Sequence, residues 1–186
     1  MGNLLGFKHV LNYVWFIPII FSIHEFEEWN ILKWYKKYYK NLPESTNTSI
    51  RIHIVALSIT SFFLTYLAYV LNGTFLYSLL IAFLSAFIFL NVFQHIIWTV
   101  QFRAYSPGLI TGIISIIVVL FVNIELVLNT HFNRLFYFII VLTILPIRGT
   151  LKVKGEMTAE IRKVHNFFIK TEKILRRLCL LISSNW

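Results

Sequence analysis

The sequence has no aspartate, a single cysteine and few charged residues of any kind. The lone cysteine, Cys179, excludes an internal disulfide and every metal site that needs several cysteines. Charged residues make up 13% of the 186 positions, whereas soluble globular domains carry about a quarter. This scarcity of charge argues against a soluble protein.

What the chain has instead is apolar sequence. Hydrophobic residues make up 58% of it, phenylalanine occurs eighteen times, and the mean hydropathy is +0.72. The net charge of +9 comes from lysines and arginines that crowd residues 33–51 and 148–177, outside the apolar runs. Loops that face anionic lipid have this pattern, and no stacking or groove-reading motif accompanies the charge. The composition therefore predicts a membrane protein and argues against nucleic acid as its main partner.

Five apolar segments approach the length of about 20 residues that a bilayer-spanning helix needs. They lie at about 9–29, 53–71, 75–100, 107–128 and 133–147. The fifth is short and could dip into the membrane and return instead of crossing it. We predict an all-α integral membrane bundle of about five transmembrane helices in residues 1–150, followed by a basic tail in residues 151–186.

The basic residues also predict the orientation, because cytoplasmic loops carry an excess of lysine and arginine. With five spans and the N-terminus outside, fifteen of the seventeen basic residues lie on the cytoplasmic side. We therefore predict a multi-pass protein of the cell membrane, with its C-terminus in the cytoplasm. The fourth span opens with Ser106 as a predicted N-cap and Pro107 as the predicted first helical residue.

The tail from about 157 to 182 combines apolar and basic residues at helical spacing. The apolar stripe comprises Ile161, Val164, Phe168, Leu175, Leu178 and Ile182. The basic residues that flank it are Arg162, Lys163, Lys170, Lys173, Arg176 and Arg177. This pattern predicts an amphipathic helix that lies on the inner leaflet of the bilayer, or else a helix that binds a partner protein.

Ionisable side chains occur near the inner ends of two predicted spans. The segment SIHEFEEW contains His24, which on a helix shares a face with Glu27 and Glu28. The third span contains Asn91 and His95, again four residues apart on one face. Because the first and third spans run in the same direction, the two groups are predicted to lie at one depth in the membrane. Ionisable residues at such a depth are costly and usually functional.

Two imidazoles and two carboxylates suit a divalent metal ion such as Zn, Fe or Mn. The predicted ligands are His24, Glu27, Glu28 and His95. One of the two glutamates could instead stay free as a general base toward a metal-bound water. Asn91 would orient His95 or polarise a carbonyl group. These residues therefore predict a metal site with catalytic groups beside it.

The loop before the fourth span adds a predicted substrate-binding group. Arg103, Tyr105 and Thr111 surround the start of that helix, near the level of the histidines. Arg103 and the exposed amides of the helix start would favour an anion such as a lipid phosphate, which makes Arg103 a catalytic candidate as well. The predicted function is a metal-dependent membrane enzyme that hydrolyses or otherwise modifies a lipid or membrane-embedded substrate at the inner leaflet.

Other interpretations of the same residues stay open. The glutamates could form only the polar end of a span, paired with Lys33 or Lys36, and His95 could be a packed or interfacial histidine. A small transporter or ion channel could use the cluster as a cation or proton relay. A non-catalytic scaffold could depend on the basic tail alone. Glu125 is left out of the site because it lies more than about 20 Å from Pro107 along a helix.

The polar elements together resemble a known family. They are His24-x-x-Glu27-Glu28, Asn91-x-x-x-His95, and Arg103 with Pro107-Gly108. In this order they are similar to the pattern of the HXXEE family of small multi-pass bacterial and archaeal membrane proteins. The resemblance covers about residues 9–147 and leaves out the basic tail. It implies a membrane enzyme with polar active-site residues, and it implies no particular reaction.

Overall fold

The computed structural model describes residues 12–129, 141, 155–157 and 159–183. These residues are mainly helical, and no strand occurs among them. After a 3-10 turn at Asn12–Trp15, the helices are α1 Phe16–Glu27, α2 Leu32–Tyr38, α3 Asn47–Val70, α4 Phe75–Phe102, α5 Leu109–Asn129 and α6 Ala159–Ser183. The all-α prediction is confirmed.

Three of these helices, α3, α4 and α5, are long and apolar enough to cross a membrane. They correspond to the second, third and fourth predicted spans. Helix α1 has 12 residues, fewer than the roughly 20 that a crossing requires, so the first predicted span is helical over only part of its length in the described residues. The fifth predicted span, 133–147, lies outside the described residues apart from position 141. Five crossings therefore stay a prediction.

Side-chain caps define the starts of α3 and α4. Thr46 Oγ1 accepts a hydrogen bond from Ser49 N at 3.0 Å, and Ser49 Oγ accepts one from Thr46 N at 3.0 Å. The side chain of Thr74 caps α4 by accepting a hydrogen bond from Tyr77 N. Such reciprocal or single hydroxyl caps satisfy backbone donors that have no partner within the helix. Local sequence is therefore sufficient to define these two helix starts.

The helices pack so that their polar ends meet. Helix α1 packs against α3 and α5, and α4 also packs against α3 and α5. Buried apolar side chains fill the interfaces, among them Phe21 of α1, Val92 of α4 and Val119 of α5. As a result, the C-terminal end of α1, the last third of α4 and the first turn of α5 come together at one end of the bundle.

The N-terminal half of α6 packs against the beginning of α3. His165 Nδ1 lies 2.9 Å from Ser45 Oγ, and the ring of Phe168 stacks on that of His53 with centroids 4.3 Å apart. In the C-terminal half, the apolar side chains Leu175 and Leu178 are exposed. A helix that lies on a lipid surface needs apolar side chains free in this way, so the predicted membrane contact of the tail is compatible with the fold.

We expect this docking of α6 to weaken on mild acidification. Burial, with the neighbouring His53, lowers the pKa of His165 to about 4, from an ordinary value of about 6.5. The docked state favours neutral His165, so its stabilisation is complete above pH 6.5 and is lost as the pH falls from 6.5 towards 4. Hydrogen exchange of the α6 amides, corrected for the intrinsic rate, should therefore show roughly 2 kcal/mol less protection at pH 5 than at pH 7.

The control is His165→Gln, whose side chain can still bond to Ser45 but does not titrate. Glu172 stays ionised in this range, because hydrogen bonds from Thr46 and Arg176 outweigh its desolvation and lower the pKa of its carboxyl. The variant should accordingly lose the part of the pH dependence that His165 contributes, and a smaller dependence that remains is assigned to His53, which stacks on Phe168 in the same contact. An equal pH dependence in the variant would assign the effect to another group and contradict the prediction.

Candidate metal centre

The ends that the bundle brings together carry the candidate ligands. His24 lies in the last turn of α1, Glu28 directly follows that helix, and His95 lies on a buried position of α4. One ligand atom from each of the three residues lies within 4.8 Å of the others, and all three residues are buried. In the part of the chain that the structure describes, these residues form a group that could hold a metal ion.

Glu28 Oε1 lies close to both imidazole rings. It is 3.3 Å from His24 Nε2 and 2.8 Å from His95 Nε2, and the two rings are nearly perpendicular with centroids 5.1 Å apart. Ligand atoms around a tetrahedral ion with bonds of about 2.1 Å are about 3.4 Å apart. The separation of His24 and Glu28 therefore already fits a shared ion, and the contact of His95 with Glu28 would have to open slightly.

Two of these buried atoms lack a hydrogen bond. His24 Nε2 and Glu28 Oε1 have no hydrogen-bond partner among the described residues. Glu28 Oε1 lies 3.3 Å from His24 Nε2 and 2.8 Å from His95 Nε2, but neither contact has the geometry of an N–H···O hydrogen bond. A buried polar atom without a partner costs roughly 1–3 kcal/mol and calls for an explanation such as a bound ion. A cation between the two atoms would satisfy both.

A hydroxyl group holds the opposite edge of each ring. His24 Nδ1 is 3.3 Å from Thr111 Oγ1, and His95 Nδ1 is 3.0 Å from Ser106 Oγ. Thr111 has one hydroxyl proton, which it donates to Glu27 Oε2 at 2.5 Å. Its oxygen must then accept a hydrogen bond from His24 Nδ1. The lone pair of His24 is therefore on Nε2, which is the neutral tautomer that a metal ligand needs.

Glu27 supports this arrangement from outside the ligand group. Its carboxylate accepts hydrogen bonds from the backbone N–H of Thr111 at 3.0 Å, from the Thr111 hydroxyl and from the hydroxyl of Tyr105. Partial burial and the adjacent Glu27 raise the pKa of Tyr105 to about 12, so this hydroxyl keeps the proton that it donates. Glu27 thereby caps the first turn of α5, where a negative charge is favourable.

The predicted start of α5 needs a correction. The helix begins at Leu109, two residues after Pro107, and the hydroxyl of Ser106 contacts His95 instead of capping the helix. The prediction assumed that the cap comes from the adjacent sequence. Here it comes from the carboxylate of Glu27, at the end of α1, which leaves the hydroxyl of Ser106 free to hold the imidazole.

His24, Glu27 and Glu28 thus stand in the spacing H-x-x-E-E, at the point where α1 meets α4 and α5. The family described as "Protein of unknown function with HXXEE motif" matches residues 15–124. The chain belongs to the HXXEE family. No curated protein and no solved structure matches it significantly. In this HXXEE protein the three motif residues have different surroundings: His24 and Glu28 belong to the ligand group, and Glu27 contacts His24 through Thr111.

This contact leads to a prediction for Thr111 of the HXXEE protein. Thr111→Val keeps the shape of the side chain but removes the acceptor of His24 Nδ1 and the donor to Glu27. Groups that orient a metal-ligating histidine are typically worth about 10- to 100-fold in metal affinity. We expect Zn affinity, measured by competition with a chelator of known affinity, to fall by that factor. Thr111→Ser, which keeps the hydroxyl, should bind nearly as tightly as the wild type, and equal losses in both variants would contradict the proposed role.

Glycine allows α5 to approach the centre of the HXXEE protein closely. Gly108 has φ 94°, and a Cβ there would lie 2.9 Å from His95 Cε1, 3.0 Å from His24 Cε1 and 3.1 Å from Glu28 Cγ. A Cβ on Gly112, one turn later, would lie 3.3 Å from His24 Cε1. The backbone of this segment therefore closes one side of the site, at a distance that only glycine permits.

Asn91 links His95 to a carboxylate that the sequence reasoning did not select. Asn91 Oδ1 lies 3.0 Å from His95 Nε2, and Asn91 Nδ2 donates to Glu25 Oε1 at 3.1 Å. Glu25 is buried. It follows His24 directly, so a search at three- and four-residue spacing passes over it. The segment SIHEFEEW contains three glutamates, and the predicted ligand set uses only two of them. This extra carboxylate was the signal in the sequence that pointed to Glu25.

The other predicted substrate-binding residues lie at the edge of the site. Arg103 ends α4 in a left-handed conformation with φ 50° and is exposed. Tyr105 is half-exposed, and its carbonyl oxygen accepts a hydrogen bond from Trp34 Nε1 at 2.9 Å. The structure thus brings Tyr105 and Thr111 to Glu27, beside the ligand group, and it puts Arg103 at the surface of the same end of the bundle.

Proposed function

We propose that this HXXEE protein is a metal-dependent membrane enzyme that hydrolyses or otherwise modifies a lipid or membrane-embedded substrate at the inner leaflet. The observation that carries the proposal is the convergence of His24 Nε2, His95 Nε2 and Glu28 Oε1 in a buried site where His24 Nε2 and Glu28 Oε1 have no hydrogen-bond partner among the described residues. Two imidazole nitrogens and one carboxylate oxygen are a donor set that suits Zn, Fe or Mn.

The presence of three candidate ligands among the described residues favours a catalytic site. Structural zinc sites are usually closed by four protein ligands, whereas catalytic sites use three and keep one position for water or substrate. Asn91 Oδ1 lies within hydrogen-bond distance of His95 Nε2, at 3.0 Å, so a metal held by Nε2 would replace this contact and leave the amide oxygen to orient a bound molecule. A bound ion would supply a water of lowered pKa or polarise a carbonyl or phosphoryl oxygen of the substrate.

We assign the role of general base to Glu25. Glu27 is engaged by the three donors described above, which suits a positioning residue better than a base. In H-E-x-x-H metalloenzymes, the ligands occupy positions i and i+4 of a helix and the base follows the first ligand directly. His24, Glu25 and Glu28 have the same spacing, with a carboxylate in place of the second histidine. Asn91 would hold the Glu25 carboxylate toward the centre.

In the proposed arrangement five helices cross the bilayer, with the N-terminus outside and the C-terminus in the cytoplasm. Arg51 lies over the ring of Trp29 at 5.1 Å, and Trp34 and Trp98 form an aromatic cluster next to the site. Aromatic and basic side chains concentrate where a membrane meets water, which supports a site near one surface of the bilayer. Arg103 would then lie among the lipid head groups, where it would bind a phosphate.

A transporter that uses the same cluster is a less favoured function. It would need a polar route from the site through the rest of the membrane. Among the described residues, the interface beside the site is mainly apolar and includes Phe21, Ile88 and Val119, and its buried polar side chains, Ser85, Ser115 and Asn123, carry no charge. This apolar packing favours an enzyme that receives its substrate from the membrane.

The test combines two measurements on the wild type and the His24→Ala/His95→Ala variant. The first is the metal content of the purified proteins. The second is turnover of a polar lipid extract in vesicles, followed by mass spectrometry of the lipids. The proposal expects both metal and turnover in the wild type and neither in the variant. Metal without turnover would favour the transporter, and absence of metal from both proteins would rule out a metalloenzyme.

A further inference from the structure

An apolar cavity of about 150 Å³ lies between α1, α3 and α4. It is distinct from the metal centre, and its lining includes Phe21, Leu57, Ser61, Leu84, Phe87 and Ile88. The lining residues come from the middle of α3 and the middle of α4, two of the helices that are long enough to cross a membrane. The cavity is therefore at the depth of the hydrocarbon core of the bilayer.

Phe21 connects this cavity to the metal centre. Its ring lines the cavity and lies 6.3 Å from the ring of His24, centroid to centroid. The two residues are three positions apart on α1, a rise of about 4.5 Å. On α4, Ile88 lines the cavity and His95 lies two turns further along, a rise of about 10 Å. A chain in the cavity would therefore end close to the ligand group, on the side of the membrane interior.

The cavity has a closed floor and a rim that faces lipid. Phe21, Leu84 and Ile88 form a buried floor, each less than 5% exposed, whereas Phe83 is 54% and Phe87 36% exposed at the rim. In a bilayer the exposed faces of α3 and α4 meet acyl chains, so the entrance opens sideways into the membrane. A hydrocarbon chain could enter without crossing water.

The size and chemistry of the cavity indicate its occupant. An apolar cavity of about 150 Å³ stays free of water and takes up a small hydrocarbon such as benzene. A space of this kind that opens to the bilayer will take a segment of a hydrocarbon chain, because such a chain fills it without leaving polar groups unpaired. We infer that the substrate is a membrane lipid whose hydrocarbon chain occupies this cavity while its polar part lies at His24, Glu28 and His95. This inference rests on the proposed function.

The inference can be tested by photo-crosslinking in lipid vesicles. The probe is a phosphatidylglycerol with a diazirine in the middle of one acyl chain, and labelled positions are mapped by mass spectrometry. Ser61→Leu and Leu84→Phe each fill the cavity, and two different filling variants guard against one that fails to fold. The matched control is Ile59→Phe, which adds bulk to the same helix α3 at a position that is 64% exposed and outside the cavity lining.

We expect labelling that saturates with probe concentration and maps to the segments around Phe21 and Phe87. Each filling variant should reduce it by about tenfold, since overpacking a filled site is strongly unfavourable, and Ile59→Phe should leave it unchanged. Unlabelled palmitate and unlabelled phosphatidylglycerol, added as competitors, distinguish a free fatty acid from a phospholipid chain as the occupant. Labelling that does not saturate, or that is equal at the exposed face of α5 around Ile117 and insensitive to filling, would overturn the inference.

The outcome of the photo-crosslinking experiment does not depend on the outcome of the metal measurement. Saturable labelling in a protein that binds no metal would support the cavity and reject the metalloenzyme. Bound metal and lipid turnover without saturable labelling would support the proposed function and reject this cavity as the chain-binding site. The filling variants should also keep the metal content of the wild type, because both substituted residues line the cavity and neither is a candidate ligand.

Discussion

Protein purified from membranes without chelators should carry about one divalent metal ion per chain, and the His24→Ala/His95→Ala variant should carry almost none. The variant removes two of the three candidate ligands. The resulting loss of metal affinity should far exceed the roughly 10- to 100-fold loss expected when a supporting contact such as that of Thr111 is removed. Mass spectrometry of metal content on detergent-purified, folded protein is the measurement.

The chain offers a matched control for this experiment. His165 is buried and His53 is partly buried, and both lie outside the ligand group, in the contacts that dock α6 at the beginning of α3. The His53→Ala/His165→Ala variant should keep its metal although it loses the same number of imidazoles. Retention of metal by the His24→Ala/His95→Ala variant, or equal loss from both double variants, would contradict the assignment of the site.

Metal removal should also lower stability in the wild type alone. A ligand that binds the folded state stabilises it by about 2.7 kcal/mol when its concentration is 100 times the dissociation constant. A chelator should therefore lower the melting temperature of the wild type and leave that of the His24→Ala/His95→Ala variant unchanged.

Gly108→Ala should be among the most damaging single substitutions in the described part of the chain. The left-handed conformation, φ 94°, costs an alanine about 1–2 kcal/mol, and contacts of 2.9–3.1 Å with His95, His24 and Glu28 add the cost of overpacking, about 1–3 kcal/mol. We expect a loss of roughly 3 kcal/mol in the free energy of unfolding, together with a clear loss of bound metal. The measurements are denaturant unfolding in detergent and metal content.

Gly73→Ala separates the cost of the left-handed conformation from the cost of the close contacts. Gly73 has φ 79°, also left-handed, but a Cβ there would meet nothing within 4 Å. This variant should lose only the conformational part, about 1–2 kcal/mol, and keep its metal. Similar losses of stability and of metal in both variants would show that Gly108 has no special relation to the site.

Much of the fold follows from local sequence. The second, third and fourth predicted spans agree with α3, α4 and α5, because long apolar segments can satisfy their backbone in a membrane only as helices. The proximity of His24 and Glu28 to His95 was also predicted, from four-residue spacing on a helix and from the parallel direction of two spans. Residues 133–147 and the five-span topology lie beyond what the described structure tests.

Only the tertiary structure decided which partners each polar residue has. From the sequence, Glu27 and Glu28 are equivalent, since both share a helix face with His24. The packing of α1 against α5 turns Glu27 toward the amide of Thr111, and the packing against α4 leaves Glu28 beside His95. Thr111 is 84 positions from Glu27 and His95 is 67 positions from Glu28, and no local periodicity encodes the rotation of one helix against another.

The same dependence on helix packing explains why Ser106 and Glu25 have contacts that the sequence did not predict. Ser106 holds His95 because a distant carboxylate caps α5, and Glu25 is buried because Asn91, 66 positions away, faces it. On α6, the side chains that pack against the beginning of α3 are polar His165 and Glu172 together with Phe168 of the apolar stripe. The sequence by itself determined which segments are helical and which ends are polar. The tertiary contacts, which depend on how helices rotate and pack, decided which polar atoms meet.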